Sequence, residues 1–122
     1  MLTEHFKISE FNCKDGTEVP KKYLNNVLVL AEQLEVLRAE VGKPIHILSG
    51  YRTNTYNAKV GGVAKSQHLL GKAADIIIKG MDAKEIYYVI ENLIAQKKMK
   101  DGGLGLYDNF VHYDIRIKRA RW

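Results

Sequence analysis

The chain has 122 residues, 46% of them hydrophobic and 27% charged, which fits one domain spanning 1–122 with a real core and leaves little room for a second. Its one cysteine, Cys13, excludes an intramolecular disulfide and a cysteine-rich zinc site. Nineteen Lys and Arg against fourteen Asp and Glu give a net charge of +5, which favours anionic partners such as nucleic acid, acidic lipid or an anionic polymer, and fits a plain solvated surface equally well.

Met1 to Phe6 lacks a basic region followed by an apolar run, so we expect no signal peptide and synthesis in the cytoplasm. No stretch approaches the roughly 20 apolar residues needed to span a bilayer. Phe6, Ile8 and Phe11 are expected to pack on the domain, with Ser9 capping a short helix before Glu10. Cys13-Lys14-Asp15-Gly16 reads as a turn, with Cys13 as a small buried residue.

Pro20 sits well at the start of a helix. Tyr23, Val27, Leu30, Leu34 and Leu37 then recur at spacings of three and four, which is one helical stripe. Gly42 closes that helix and Pro44 prevents its continuation. Residues 45–48 are rich in branched side chains and predict a strand. Residues 53–67 are polar and glycine-bearing, and read as a loop with one helical turn leading into His68. Long loops inside small domains are usually functional or disordered, and the lead into His68 favours function.

Residues 73–78 predict a buried strand. Asp82 and Glu85 form a capping-box pattern ahead of a helix whose apolar face carries Ile86, Val89, Ile90, Leu93 and Ile94. That helix is expected to run out in the basic stretch 97–100 and to end at Gly102-Gly103. Two strands, 104–107 and 110–117, follow across a tight Asp108-Asn109 turn. This order predicts an α+β domain with a small, largely antiparallel sheet and helices on one side.

The chemistry concentrates in Ser66-Gln67-His68-Leu69-Leu70-Gly71-Lys72-Ala73-Ala74-Asp75. An imidazole and a carboxylate stand seven positions apart there, and both are ligand types that suit zinc. His112 is the best candidate for a third ligand. Three protein ligands and an open position make a catalytic site. A lone histidine is more often structural, but an aspartate opening a buried strand must be paired or hold a metal. Alternation along the last strand puts His112, Asp114 and Arg116 on one face. Asp114 could carry protons for a hydrolysis, or it could orient a histidine or pair with Arg116. Arg52 could clamp a substrate carboxylate, or simply be solvated.

Read together, Ser49-Gly50-Tyr51-Arg52, Asn57, Gly61-Gly62, the stretch from Ser66 to Asp75, and Gly103-Leu104-Gly105 with Phe110-Val111-His112-Tyr113-Asp114 resemble the zinc D-alanyl-D-alanine carboxypeptidase family, peptidase family M15. The likeness is to its small phage- and bacterium-encoded peptidoglycan peptidase branch, and it covers nearly the whole chain. The resemblance implies zinc held by His68, Asp75 and His112, Arg52 near a substrate carboxylate, and Ser66 as a substrate contact. It implies the α+β fold shared with the hedgehog signalling domain, a central antiparallel sheet with flanking helices. The implied activity is hydrolysis of peptidoglycan peptides, as a carboxypeptidase or an endopeptidase. Without a signal peptide, action at the cell wall would follow release, as for an endolysin. Many relatives place an acidic base three residues before the last histidine ligand. Asn109 stands at that position here, and Asp114 takes the place used in the smaller branch, where His-x-Asp recurs. The alternative is a zinc-bearing wall-binding module without turnover. Nucleic-acid binding rests on net charge alone and is not expected, and the protein is expected to be a monomer.

Overall fold

Alternation along short strands gives the sheet two unlike faces, and this decides where the chemistry sits. The computed structural model describes residues 1–122. Five strands, β1 (His46–Ser49), β2 (Ala73–Ile77), β3 (Gly103–Leu106), β4 (Val111–Asp114) and β5 (Ala120–Arg121), form one sheet in the order β1-β2-β4-β3-β5. Three helices accompany it, α1 (Leu24–Val41), α2 (Asn54–Lys59) and α3 (Ala83–Ala95). The fold is α+β.

On one face, Ile47, Ala74, Ile76, Leu104, Val111 and Tyr113 join Val27, Leu30, Leu34 and Leu37 of α1 and Ile86, Ile90, Leu93 and Ile94 of α3. They belong to a single hydrophobic cluster of 22 buried residues that also takes in Phe6 and Phe11. Burial of each large aliphatic side chain contributes roughly 1.5–3 kcal/mol. The next residue along each strand points the other way. That second face carries Asp75, His112 and Asp114, with Asp75 opposite His112 and Ala73 opposite Asp114. On the far side of β4, Gly105 faces His112 and Gly103 faces Asp114.

Local signals in the sequence account for most element ends. Gly42 takes the left-handed conformation (φ 64°) and its N–H returns to the Arg38 carbonyl, closing α1. Asp82 and Glu85 accept each other's backbone N–H groups at the start of α3. Pro20 precedes a 3₁₀ turn, Lys21–Tyr23, that feeds α1.

Three expectations need correction. Ser9 lies within a 3₁₀ turn, Ile8–Phe11, and Glu10 caps it by accepting from the Lys7 N–H. Helix α3 stops at Ala95, well before Gly102, because Lys97 turns left-handed (φ 61°) and the N–H groups of Lys97 and Lys98 return to Ile94 and Leu93. The last long strand stops at Asp114, whose side chain captures the Arg116 N–H while the Ile115 N–H goes to the Lys72 carbonyl. The sheet is largely antiparallel, as expected, with β5 alone pairing parallel, to β3. No helix is long and apolar enough to cross a membrane.

Candidate metal centre

His68 is presented by a 3₁₀ turn, Gln67–Leu70, that leads into β2. Ser66 precedes this turn, and its hydroxyl accepts from the His68 N–H at 3.1 Å. His68 Nδ1 lies 2.7 Å from the Gly50 carbonyl. A carbonyl only accepts, so Nδ1 carries the hydrogen and Nε2 keeps a lone pair. That Nε2 faces Asp75 Oδ1 at 3.2 Å.

His112 arrives from β4 with the opposite tautomer. Its Nε2 donates to Asp114 Oδ2 at 2.7 Å, which leaves the Nδ1 lone pair facing Asp75 Oδ1 at 3.0 Å. Three electron-pair donors, His68 Nε2, Asp75 Oδ1 and His112 Nδ1, thus converge, and the ligand atoms of these three buried residues lie within 4.8 Å of one another. With the neutral tautomers just described, no hydrogen sits between them. A cation, or extra protons on the rings, must balance such a cluster. The donor set of two imidazole nitrogens and one carboxylate oxygen fits zinc.

When extra protons on the rings, rather than a cation, balance the cluster, the same contacts become hydrogen bonds and set the carboxylate electrostatics. Burial would raise the Asp75 pKa, but hydrogen bonds from His112 and His68 outweigh it and hold the carboxyl below its ordinary range. Asp114 behaves alike, with burial opposed and overcome by His112 and Arg116. Burial would lower His112, yet its bonds to Asp114 and Asp75 carry its pKa above the usual value.

Arg52 braces Asp75 from the other side. Its Nη2 donates to Asp75 Oδ2 at 3.1 Å, its Nε to Ser49 Oγ at 3.1 Å and its Nη1 to Asn57 Oδ1 at 3.2 Å. A register shift in β1 between Ile47 and Ser49 sets Ser49 opposite Asp75, where it can take part. Asn57 is itself buried and tied to the Val63 carbonyl. Gly62 packs so closely that a Cβ there would collide with the Asn57 side chain. Gly62 therefore has a packing reason, and Gly61 a conformational one, with φ 75°.

The cluster lies along a cleft of about 560 Å³ whose lining includes Arg52, Ser66, His68, Asp75 and His112. The loop at 60–67 adds Lys65, and the far end of the chain adds Tyr107, Phe110, Arg116 and Trp122. Tyr107 and Phe110 stack with ring centres 4.4 Å apart. Trp122 Nε1 donates to the Tyr107 hydroxyl at 2.8 Å, and its ring lies 4.9 Å from that of His112. Sequence reasoning missed this aromatic wall, since its members sit in separate segments with no shared periodicity.

Asp114 does not line the cleft. It is fully buried, and both oxygens are engaged, Oδ1 by the N–H groups of Gly103 and Arg116 and Oδ2 by His112. The Arg116 guanidinium binds both. This placement lets Asp114 both hold His112 and pair with Arg116. Asp108 and Asn109 face a different groove, so Asp75 is the single carboxylate lining the cleft.

A family model described as Peptidase M15 matches residues 4–114. The chain belongs to the peptidase M15 family. It also shares 42% identity over 52 residues with the zinc D-Ala-D-Ala carboxypeptidase of Streptomyces albus G. That segment is 42% of this chain and 20% of the relative, so the chain spans about a fifth of that protein's length. All three clustered residues of this M15 chain and Asp114 fall inside the family match, whereas Arg116 and Trp122 lie beyond it.

Proposed function

We propose that the chain is a zinc metallopeptidase, a single domain that hydrolyses peptide bonds in bacterial peptidoglycan. The observation that carries this reading is the convergence of His68 Nε2, Asp75 Oδ1 and His112 Nδ1 on an open cleft. Membership of the M15 family supports it, as does the similarity to a protein named for zinc and for D-Ala-D-Ala.

Zinc held by these three residues would supply Lewis acidity toward a scissile carbonyl and an acidified water. The remaining groups prepare that site. Asp114 Oδ2 holds the Nε2 proton of His112 and fixes its tautomer. Arg52 takes up Asp75 Oδ2 and leaves Oδ1, beside the two histidine nitrogens, for the metal. Ser66 fixes the turn that presents His68. Arg52 and Ser66 both line the cleft, so a bound peptide would lie against them. Arg52, Lys65 and Arg116 against Asp75 alone make the lining cationic, which suits the carboxylates of peptidoglycan stem peptides.

A wall-binding module without turnover is the second reading. It is favoured by the absence of any carboxylate besides Asp75 from the cleft lining and by Asn109 at the position where many relatives have an acid. Mass spectrometry of muropeptides after incubation with the zinc-loaded protein separates the two. New amine termini are expected, and His68→Ala should abolish both these products and stoichiometric zinc. Tight muropeptide binding with intact peptidoglycan after hours would select the second reading. Products that persist in His68→Ala at wild-type yield would overturn the first.

A further inference from the structure

We propose that the free edge of the Arg116 guanidinium is the receptor for a carboxylate of the peptide substrate, and so a specificity-determining group of this cleft. The inference rests on the peptidoglycan reading above and names the substrate group that the cleft selects.

The cleft lining contains three cationic side chains, Arg52, Lys65 and Arg116, and they differ in what they have left to give. Arg52 is the more committed, since its three nitrogens already donate to three different protein acceptors, whereas Arg116 donates to Asp114 alone. Lys65 is exposed and makes no ion pair, so it would have to be ordered by the ligand itself. Arg116 is held from behind, with Nε and Nη2 bonded to the buried Asp114 carboxylate. Its guanidinium carbon also lies 5.1 Å over the Trp122 ring. Two fixed contacts remove its freedom before any ligand arrives. Its Nη1 donates to no protein acceptor, and its side chain is 29% exposed.

A guanidinium engaged along its Nε–Nη2 edge keeps the Nη1–Nη2 edge free. That edge offers two parallel N–H donors, the spacing a carboxylate accepts bidentately. The receptor is also coupled to the metal centre, because the same Asp114 that fixes Arg116 holds His112. A substrate carboxylate seated on Arg116 would therefore be registered against the ligand cluster through one rigid unit.

Trp122 is the only tryptophan and stacks on the proposed receptor, so its fluorescence reports binding before turnover. Stopped-flow titration of the zinc-loaded protein would use the stem tetrapeptide L-Ala-γ-D-Glu-L-Lys-D-Ala and versions with one carboxylate amidated at a time. One amidation is expected to weaken wild-type binding roughly tenfold or more. Arg116→Gln should bind the free and amidated forms alike. Arg116→Lys keeps a charge beside Asp114 but lacks the fork, so it should retain one zinc per chain and still lose most of the discrimination. A merely structural role would weaken both peptides together and leave their ratio untouched. An unchanged ratio in both Arg116 variants would overturn the proposal, as would its loss in Arg52→Gln instead or equal binding of all peptides by the wild type. Carboxylate discrimination without any cleavage of peptidoglycan would leave the receptor standing and remove the peptidase reading.

Discussion

Asp114→Asn is expected to lower stability by about 3 kcal/mol and to weaken zinc binding about 10–100-fold. The side chain is fully buried and surrounded only by donors: His112 Nε2, the Gly103 and Arg116 N–H groups, and the Arg116 guanidinium. An amide is the same shape, but it turns one acceptor into a donor and discards the charge. Arg116 then loses its ion pair, and His112 loses the partner that fixes its tautomer. The low end of the range for a broken buried pair applies because the Arg116 side chain is 29% exposed and water can recover part of the loss. Chemical denaturation and zinc competition against a chelator measure the two effects. A group that only carried protons in turnover would leave both near wild type and reduce the rate alone.

Gly103→Ala should act on the same carboxylate without touching any ligand. A Cβ built on Gly103 would stand 2.6 Å from Asp114 Cγ, well inside contact distance, and His112 and Arg116 hold the carboxylate on its other sides. Overpacking of this kind costs roughly 1–3 kcal/mol. If Asp114 shifts to make room, its bonds to His112 and Arg116 lengthen together. We therefore expect zinc affinity to fall along with the melting temperature, as read by calorimetry on the apo and zinc-loaded forms. An alanine variant that loses stability but binds zinc like wild type would break the proposed link between Asp114 and the metal centre.

Much of this arrangement was legible in the sequence. The stripe of Val27, Leu30, Leu34 and Leu37, the Asp82–Glu85 capping box and the branched run at 76–78 each announce an element through its own periodicity or cap. The pairing of His68 with Asp75 and His112 was read from residue type and spacing, and the strands do bring the three together. What alternation could not give was direction along the face. It put His112, Asp114 and Arg116 on one side, but whether the Asp114 carboxylate turns toward the cleft or toward its neighbours depends on the space that Gly103 leaves. Likewise, Arg52 reads as a solvated charge or a clamp until the β1 register shift brings Ser49 beside it.

The end of the chain was the least readable part. Arg116, Lys118, Arg119 and Arg121 add to the net positive charge, which fits a plain solvated surface. Arg121 instead bonds both oxygens of Glu91 at 3.0 Å and reaches Asp101 at 2.8 Å. The Trp122 backbone pairs with Leu104 and Leu106. A two-residue strand has no period to detect, and here backbone pairing with β3 and long-range ion pairs hold it in place. Gly105 is the counterpart on β3, since a Cβ there would meet Trp122 Nε1 at 2.5 Å. Glycines at 103 and 105 thus make room for Asp114 and for the aromatic wall, which is a physical reason for the Gly-Leu-Gly pattern.

The most direct test is anomalous scattering at the zinc edge from crystals grown with one equivalent of zinc. A single peak is expected at roughly 2.0–2.2 Å from His68 Nε2, Asp75 Oδ1 and His112 Nδ1 together, with Asp114 still bonded to His112 Nε2. A peak that bridges His112 Nε2 and Asp114, or one that lies outside the cleft, would contradict the metal centre described above.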